Sequence, residues 1–502
     1  MRFGLRGITA VLMAAGAAVG CSSGDDDASE GGGTTTVTAE PRPAGPAAAL
    51  APLEGGEGVA LATAGTGPAL DEAGYAEAEY AATGTATSYT SAGPLPGDGT
   101  FELEPGEEAD YATRVVVRRP EDPDAFNGTV VVEWLNVSGG ADAAPDYTYL
   151  ADELLRGGYA WAGVSAQRIG IEGGEVAVQV PGLEGAGLGQ GLRAQDPDRY
   201  GELHHPGDAF SYDIYTQVGR ALRSSGEGKP LDGLDVERVL AVGESQSAFA
   251  LTTYVNGVQP LTGAFDGFLV HSRGGASAPL GEPDAGIDIA GTVGGEPTTI
   301  RADNDVPVIV VQTETDVVGL LGYLPARQPD DDHLRLWEVA GTAHADKFQL
   351  GDTEDLLGCA QPINRGQQAF VLRAALRHLD TWVADGTPPP EAPRLEVDES
   401  GSSPSFVLDP VGNVQGGVRS PAVDAPVDVL SGLAPEGSSI ICLLMGSTTP
   451  LDDEQLGELY ASRDEYLTAY EEATDAMIDA GFALEEDRDQ LLDGAIPDRI
   501  PA

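Results

Sequence analysis

The sequence predicts an α/β protein with a mostly parallel central sheet and helices on both faces of that sheet. Apolar runs of strand length alternate with runs of helix length from about Tyr111 to Gly386, which is the order that βαβ crossovers produce. Strands such as "TVVVEWLNV" are nearly all apolar except at Glu133, as expected for strands buried on both faces. The chain of 502 residues, 41% of them hydrophobic, is long enough to enclose a large core.

The elements follow one another in a regular order along the chain. The predicted strands are 110–120, 129–137, 159–166, 236–243, 265–272, 306–313 and 333–341, and the predicted helices are 146–158, 208–226, 247–258 and 366–386. Pro120 ends the first strand and Gly157 ends the first helix, because proline lacks the N–H of a ladder and glycine favours helix C-termini. Apolar residues recur every four positions from Phe210 to Leu222, which gives the second helix one apolar face.

Two long irregular stretches interrupt this order, at about 167–207 and 273–305. Both follow strands at their C-terminal ends, where α/β sheets hold their ligands, and loops of this length are usually functional or disordered. We therefore predict that they form lid-like loops and the walls of a substrate pocket. Residues 58–388 would form the core domain, and 389–502 a C-terminal elaboration of strands, loops and helices packed on that core.

The N-terminus has the pattern of an export signal. Arg2 and Arg6 precede a short apolar segment, and small residues then lead to Cys21. The segment is too short to span a bilayer, and a cysteine at this place resembles the lipidation site of bacterial lipoproteins. We predict a lipoprotein signal peptide over 1–20 and a lipid on Cys21 that anchors the exported protein at the cell surface, with no other membrane contact. An ordinary signal peptide cleaved nearby is the alternative.

Residues 21–57 are rich in Gly, Pro, Ala and acidic residues and contain no aromatic residue. Such a segment cannot bury enough apolar surface to fold, so we predict a disordered tether. Beyond Cys21 the chain has only Cys359 and Cys442. Two cysteines in an exported protein favour one disulfide, which would stabilise the fold by about 3–5 kcal/mol, and two buried thiols are the alternative.

The charge of the chain excludes one class of partner. The 27 Lys and Arg residues and 81 Asp and Glu residues give a formal net charge of −54. Such a surface repels nucleic acid and anionic lipid headgroups. We predict no nucleic-acid partner and interpret the charge as a source of solubility.

The segment "VLAVGESQSAFAL", residues 239–251, combines a strand, a tight turn and a helix. This is the context of a nucleophile elbow, in which small residues two before and two after the serine let strand and helix approach closely. Gly243 and Ser247 take those places around Ser245, so the pattern is Gly-x-Ser-x-Ser instead of Gly-x-Ser-x-Gly. We interpret Ser245 as a nucleophile, and a serine that only caps the helix is the alternative.

A nucleophilic serine needs a base and an acid that orients the base. In hydrolases with this elbow the acid and then the histidine follow the serine along the chain. His344 follows an apolar strand by a short loop in "WEVAGTAHADKF", and Glu314 and Asp316 follow the strand "VPVIVVQT". We prefer Asp316 because it lies farther past the strand end, and we keep Glu314 as the alternative acid.

Two backbone N–H groups must stabilise the oxyanion that forms on the substrate. One is the amide of Gln246, directly after the nucleophile, and the other lies in the loop after an early strand. That loop is "EWLNVSGGAD", so Asn136, Val137 or Ser138 would donate the second hydrogen bond.

Several blocks of sequence together resemble a known family. The blocks "NGTVVVEWLNVSGG", "DRYGELHHPGDAFSYDIYTQVGRAL", "VGESQSAFALTTYVNGV", "FDGFLVHSRGG", "VQTETDVV" and "GTAHAD" occur in an order similar to that of secreted bacterial α/β-hydrolase-domain proteins. The resemblance covers most of the chain from about Gly74. It implies the α/β-hydrolase fold, a Gly-x-Ser-x-Ser elbow, and a triad of Ser245, an acid of the "ETD" segment and His344. It implies no substrate, since one fold serves many functions.

Two residues that carry this resemblance have no place in the triad. His271 and Arg273 end a strand on the catalytic side, so they could face the substrate pocket, where Arg273 could bind a carboxylate. A buried ion pair that shapes the loop is the alternative. The histidines are not spaced as metal ligands, apart from adjacent His204 and His205, and we predict neither a metal nor a cofactor.

The sequence therefore predicts an exported serine hydrolase, and a carboxylic-ester hydrolase best fits the pattern. It would form an acyl-enzyme on a small-molecule or polymeric ester. Two alternatives stay open. The same triad could hydrolyse amides or lactones or transfer an acyl group, and the fold could belong to a non-catalytic surface lipoprotein that binds a ligand.

Overall fold

The computed structural model describes residues 44–63, 67–179, 187–224, 226 and 228–501. The predicted signal peptide, the predicted lipidation site Cys21 and the tether as far as residue 43 lie outside the described residues. Within the described ranges, no helix is long and apolar enough to cross a membrane.

Nine strands of the described chain form one sheet. They are β1 Ala49–Pro52, β2 Tyr75–Thr90, β3 Glu104–Pro120, β4 Thr129–Trp134, β5 Ala160–Val164, β6 Arg238–Glu244, β7 Gly267–His271, β8 Val308–Thr313 and β9 Leu334–Val339. Their order across the sheet is β1-β2-β3-β5-β4-β6-β7-β8-β9. The pairs from β1 to β5 are antiparallel, and those from β5 through β4 to β9 are parallel. The sheet is therefore mostly parallel, as the sequence predicts.

Helices flank the sheet and continue into the C-terminal region. They are α1 Pro145–Arg156, α2 Arg168–Glu172, α3 Leu192–Gln195, α4 Pro197–Tyr200, α5 Ser211–Leu222, α6 Gln246–Thr253, α7 Gln259–Thr262, α8 Ile289–Val293, α9 Glu314–Val317, α10 Lys347–Leu350, α11 Gln368–Asp385, α12 Pro421–Asp424, α13 Ile440–Met445, α14 Asp453–Leu459, α15 Arg463–Asp479 and α16 Arg488–Asp493. A π-helical turn, Tyr254–Val258, joins α6 to α7.

Two hydrophobic cores lie on opposite faces of the sheet. Val130 and Val132 of β4 belong to the core that includes α5 and α6. Val131 belongs to the core that includes α1 and α11. Successive side chains of a strand point to opposite faces, so an apolar run such as that of β4 serves both cores. This explains why the strands read as continuous apolar runs.

The N-terminal side of the sheet differs from the sequence prediction. The predicted tether extends to residue 57, yet Ala49–Pro52 forms β1 and pairs with β2. β2 itself lies before the first predicted strand. β1 is short, β2 is rich in Ala and Thr, and main-chain hydrogen bonds hold both strands at this end of the sheet. Such bonds leave no apolar pattern in the sequence.

The C-terminal region packs on the central sheet through several of its helices. Met477 of α15 and Leu491 of α16 belong to the same core as α1 and α11. Two short antiparallel pairs of strands precede these helices: β10 Val397–Asp398 pairs with β11 Ser405–Phe406, and β12 Asp428–Ser431 pairs with β13 Ser447–Pro450. This region therefore shares a core with the sheet and does not form a separate body.

Candidate active site

Ser245 occupies the sharp turn between β6 and α6. Its backbone angles are φ 59° and ψ −121°, a left-handed conformation that side-chain-bearing residues rarely adopt and that a nucleophile elbow requires. The Ser245 N–H donates to the His271 carbonyl at 3.0 Å, which ties the turn to β7. A Cβ on Gly243 would lie 3.0 Å from the Cβ of Ser247, so a side chain at 243 would crowd the start of α6.

The Ser245 side chain begins a chain of short hydrogen bonds. Its Oγ lies 2.8 Å from Nε2 of His344, and Nδ1 of the same ring lies 2.8 Å from Oδ1 of Asp316. The loop after β9 carries His344, and its main-chain N–H donates to Oγ1 of Thr315 at 3.1 Å. These are the contacts of a serine nucleophile, a histidine base and an orienting carboxylate.

The two candidate acids have different partners. Oδ2 of Asp316 accepts hydrogen bonds from the N–H and Oγ1 of Thr313, both at 2.7 Å, so its other oxygen is held toward His344. Glu314 accepts from the N–H groups of Gly341 at 2.6 Å and Gly432 at 2.8 Å. Burial raises the pKa of Glu314 to about 7, although these hydrogen bonds lower it. Of the two, Asp316 contacts the histidine, and Glu314 holds the loop that leads to it.

A second carboxyl group, which the sequence analysis does not identify, lies beside the histidine. Oε1 of Glu244 is 3.3 Å from Nε2 of His344, and its side chain is buried. Burial raises the pKa of Glu244 to about 7, against the lowering effect of His344 and His271. Burial alone would lower the pKa of His344, but the charge of Glu244 and the hydrogen bond that the ring donates to Asp316 raise it above its ordinary value.

The candidate oxyanion donors are not equivalent. Gln246 is the first residue of α6, so its N–H has no carbonyl within the helix to bind. The Asn136 N–H donates to the Ala143 carbonyl at 2.9 Å, and the Ser138 N–H donates to Oδ1 of Asn136 at 2.9 Å. The Val137 N–H donates a long hydrogen bond of 3.4 Å to Oε1 of the Gln246 side chain. The Asn136 main-chain prediction is therefore wrong because its N–H is already bound, whereas Gln246 and Val137 keep the most available amides.

The structure places His271 and Arg273 behind the site and not in the cavity beside Ser245. Nδ1 of His271 lies 2.9 Å from Oδ1 of Asp146, and both side chains are fully buried. The Arg273 guanidinium donates to the carbonyls of Gly274, Gly275 and Thr298. Burial lowers the pKa of Arg273. The pocket prediction is wrong for both residues because these partners hold them inside the protein.

A cavity of about 330 Å³ opens beside Ser245 and His344. Glu244, Asn136 and Ser138 lie at its catalytic end, and the rest of its wall is mostly apolar. Of the two long stretches predicted as walls, 167–207 contributes Val178 and Leu188. The described residues of 273–305 do not line this cavity, and Ala278 of that stretch instead donates its N–H to the Phe249 carbonyl of α6 at 3.0 Å.

Two segments that are far apart in the sequence supply a further part of the wall. α10 and the turn after it supply one part, and α13 supplies the other. Cys359 and Cys442 form a disulfide that joins these segments, with Cα atoms 5.6 Å apart. The predicted disulfide is therefore present, and it lies next to the cavity.

Among the described residues, no group of three or more His, Cys, Asp and Glu side chains could hold a metal ion. His204 is largely exposed and lies 3.4 Å from Glu172, and adjacent His205 is buried with its Nε2 against the Ala166 carbonyl. The two adjacent histidines thus have separate structural partners.

A mostly parallel sheet with a strained serine after a central strand, joined through a histidine to a carboxylate, defines the α/β-hydrolase class. A comparison with protein families agrees with this assignment. The family model described as "Alpha/beta hydrolase domain" matches residues 44–493, and the chain belongs to this family.

Solved structures with low sequence identity were also found, and no curated protein matched. A protein from Klebsiella pneumoniae that is provisionally named a dienelactone hydrolase shares 14% sequence identity with this chain. The match covers 51% of this chain and 85% of that protein, with a TM-score of 0.25. A serine hydrolase without a lid from Xanthomonas campestris shares 13% sequence identity. The match covers 55% of this chain and 90% of that protein, with a TM-score of 0.27. A fungal esterase from Rhizomucor miehei shares 11% sequence identity. The match covers 61% of this chain and 85% of that protein, with a TM-score of 0.29.

Proposed function

We propose that this protein is a serine hydrolase that cleaves carboxylic esters through an acyl-enzyme on Ser245. The observation that carries the proposal is the unbroken hydrogen-bond chain from Ser245 Oγ through His344 to Asp316, with both distances at 2.8 Å. Ser245, the first residue of these hydrogen bonds, lies in a strained turn, and both Ser245 and His344 line a cavity. Structural serines have no need of this combination, which costs backbone strain.

In the first half-reaction, Nε2 of His344 accepts the Ser245 hydroxyl proton while Oγ attacks the ester carbonyl. Asp316 stabilises the resulting imidazolium through Nδ1. The N–H groups of Gln246 and Val137 would donate to the oxyanion. His344 then gives the proton to the leaving alcohol, and the acyl group stays on Ser245.

In the second half-reaction, water takes the place of the alcohol. His344 accepts a proton from this water, which attacks the acyl-enzyme carbonyl, and the same two amides stabilise the second oxyanion. The intermediate collapses when His344 returns the proton to Ser245 Oγ. The products are the carboxylic acid and the free enzyme, and the reaction requires no redox step.

A pair of serine variants tests the proposal. Ser245→Ala should lose hydrolysis of a neutral p-nitrophenyl ester by a factor of about 10⁴ or more, as removal of a triad member does elsewhere. Ser247→Ala is the matched control, because its buried Oγ has no hydrogen-bond partner among the described residues. Ser247→Ala should keep most of the activity. Full activity in Ser245→Ala would overturn the proposal, and hydrolysis of the matching p-nitroanilide at an equal rate would replace esters with amides as the substrate.

We also propose that the enzyme acts outside the cell as a lipoprotein anchored through Cys21. The support is the sequence pattern of a basic start, a short apolar segment and small residues before the cysteine. Metabolic labelling with an alkyne fatty acid should mark the wild-type protein and not Cys21→Ser. Equal labelling of the two proteins would contradict the anchor.

A further inference from the structure

One wall of the cavity is apolar. Leu350 and Leu356 contribute from α10 and the following 3₁₀ turn, and Ile441, Leu444 and Met445 contribute from α13. Ile441 and Met445 belong to one buried cluster with Leu357 and Ala345, the residue after the triad histidine. The wall therefore begins beside the reacting atoms and extends away from them.

The disulfide makes this wall one covalent unit. Cys442 lies within α13, between Ile441 and Leu444, and Cys359 lies two residues after Leu357. Crosslinked segments lose less conformational entropy when a ligand binds against them. A preformed apolar wall is the usual lining of a small-molecule site.

The charges of the cavity select against one class of ester. None of the described residues that line it is Lys or Arg, and its one ionisable carboxyl is Glu244, next to His344. A substrate carboxylate in this cavity would be buried without a cation and close to that carboxyl, which is unfavourable. The chain's net charge of −54 repels anionic substrates before they reach the site.

The size of the cavity sets the scale of the substrate. Its volume of about 330 Å³ lies at the lower end of the range of roughly 300–1,000 Å³ for small-molecule pockets. The space suits a short or medium hydrocarbon chain and is too small for a large folded ligand.

We infer that the substrates are neutral esters with an apolar chain of short or medium length, and that this chain lies against the wall formed by α10, the 351–356 turn and α13. The inference rests on the proposed function, because it assigns the ester class to the same Ser245 site. Each methylene that enters the wall should raise kcat/KM by about fourfold until the cavity is full.

Two series of esters, assayed with the full-length protein, test the inference. One varies the acyl group of p-nitrophenyl esters from acetyl through butyryl and hexanoyl to octanoyl, and the other varies the alcohol of acetate esters over the same lengths. In at least one series kcat/KM should rise by about sixteenfold over the first two added methylenes. A p-nitrophenyl ester with a terminal carboxylate should react at least tenfold more slowly than its neutral counterpart of equal length.

A rim substitution ties the preference to the wall. Leu356 is 53% exposed and lines the cavity, so Leu356→Asp should fold and place a carboxylate where the chain binds. Leu467→Asp is the matched control, because Leu467 is 41% exposed on α15 and does not line the cavity. Leu356→Asp should lower kcat/KM for the longest reactive ester by tenfold or more, and by a larger factor than for the acetyl ester, whose chain is too short to cover the wall. Leu467→Asp should change neither.

The outcomes separate the two proposals. Flat rates in both series, a preference for the anionic ester, or no effect of Leu356→Asp on long esters would overturn the inference while hydrolysis of acetyl esters still required Ser245. Loss of all ester hydrolysis, with Ser245 unreactive toward a fluorophosphonate, would instead overturn the proposed function itself.

Discussion

Ser245 is the residue at which backbone strain and chemistry meet. Its φ of 59° costs about 1–3 kcal/mol for a residue with a side chain. The folded core supports that cost, because β6 and α6 are both buried and Ser245 is tied to β7. The strained backbone directs the Ser245 hydroxyl toward His344. The turn therefore lowers the free energy of unfolding and in return positions the nucleophile.

Replacing Ser245 by glycine should separate these two roles. Glycine adopts positive φ freely, so Ser245→Gly should abolish hydrolysis and raise the free energy of unfolding by about 1–3 kcal/mol relative to Ser245→Ala. Denaturant unfolding of the two inactive variants measures this difference. Equal stability of the two variants would show that the elbow carries no strain.

Glu244 should set the acid limb of the pH profile. Its pKa of about 7 means that it ionises as the pH rises through neutrality, and its ionised form favours protonated His344. His344 must be neutral to accept the serine proton. Glu244→Gln removes the anion, so the pKa of His344 should fall and the acid limb of kcat/KM should move to lower pH by about one unit.

The control for this shift is Glu454→Gln, which removes an exposed carboxyl on α14 far along the chain from the elbow. It should leave the limb unchanged. If Glu244→Gln lowered kcat at every pH without moving the limb, Glu244 would have only a structural role.

The Cys359–Cys442 disulfide links the segment after α10 to α13. It joins residues that are 83 positions apart, and in the chain-entropy model closing such a loop stabilises the fold by about 4–5 kcal/mol. The variant with both Cys359→Ser and Cys442→Ser should lose about that free energy of unfolding. A reducing agent should bring the wild-type protein to the same value and leave the variant unchanged. If reduction changed the variant as well, the effect would not come from this bond.

The elements most accessible to prediction are those with an apolar signal. The alternation of buried strands and helices from β3 to α11 follows from the sequence because each strand faces two cores and each helix faces one. β1 and β2 escape prediction because main-chain bonds hold them. The apolar wall escapes it because α10 and α13 come together only in the folded chain.

The candidate site also contains residues that the sequence predicts and residues that it does not. Ser245, Asp316 and His344 each follow a strand, so their meeting at one edge of the sheet is predictable from order alone. The proximity of Glu244 to His344 depends on side-chain packing across β6 and the His344 loop, which sequence order does not encode. The sequence does not predict the partners of Arg273, because an arginine at a strand end can bind loop carbonyls as well as a substrate carboxylate.

The whole molecule should be more stable in mild acid than in mild base. Burial raises the pKa of Glu244 and Glu314 to about 7 and that of Asp346 to about 6. The folded state therefore binds more protons than the unfolded state above the ordinary carboxyl pKa, so stability falls as the pH rises through about 7. Self-repulsion from the net charge of −54 acts in the same direction.

The unfolding midpoint should therefore be higher at about pH 5 than at about pH 8, and added salt should raise it more at the higher pH because it screens surface repulsion. Glu314→Gln removes one buried titrating group, so its midpoint should fall less over the same range. A midpoint that rose from about pH 5 to about pH 8 would contradict this account.

The central claim is that Ser245 is an activated nucleophile, and covalent labelling tests it most directly. A form that begins at residue 44 keeps β1 in the sheet, and a fluorophosphonate adduct on it can be mapped by peptide mass spectrometry. The account predicts one adduct, on Ser245, that is lost in His344→Ala and retained in Ser247→Ala. A folded protein without an adduct, or with an adduct on Ser245 that persists in His344→Ala, would contradict it.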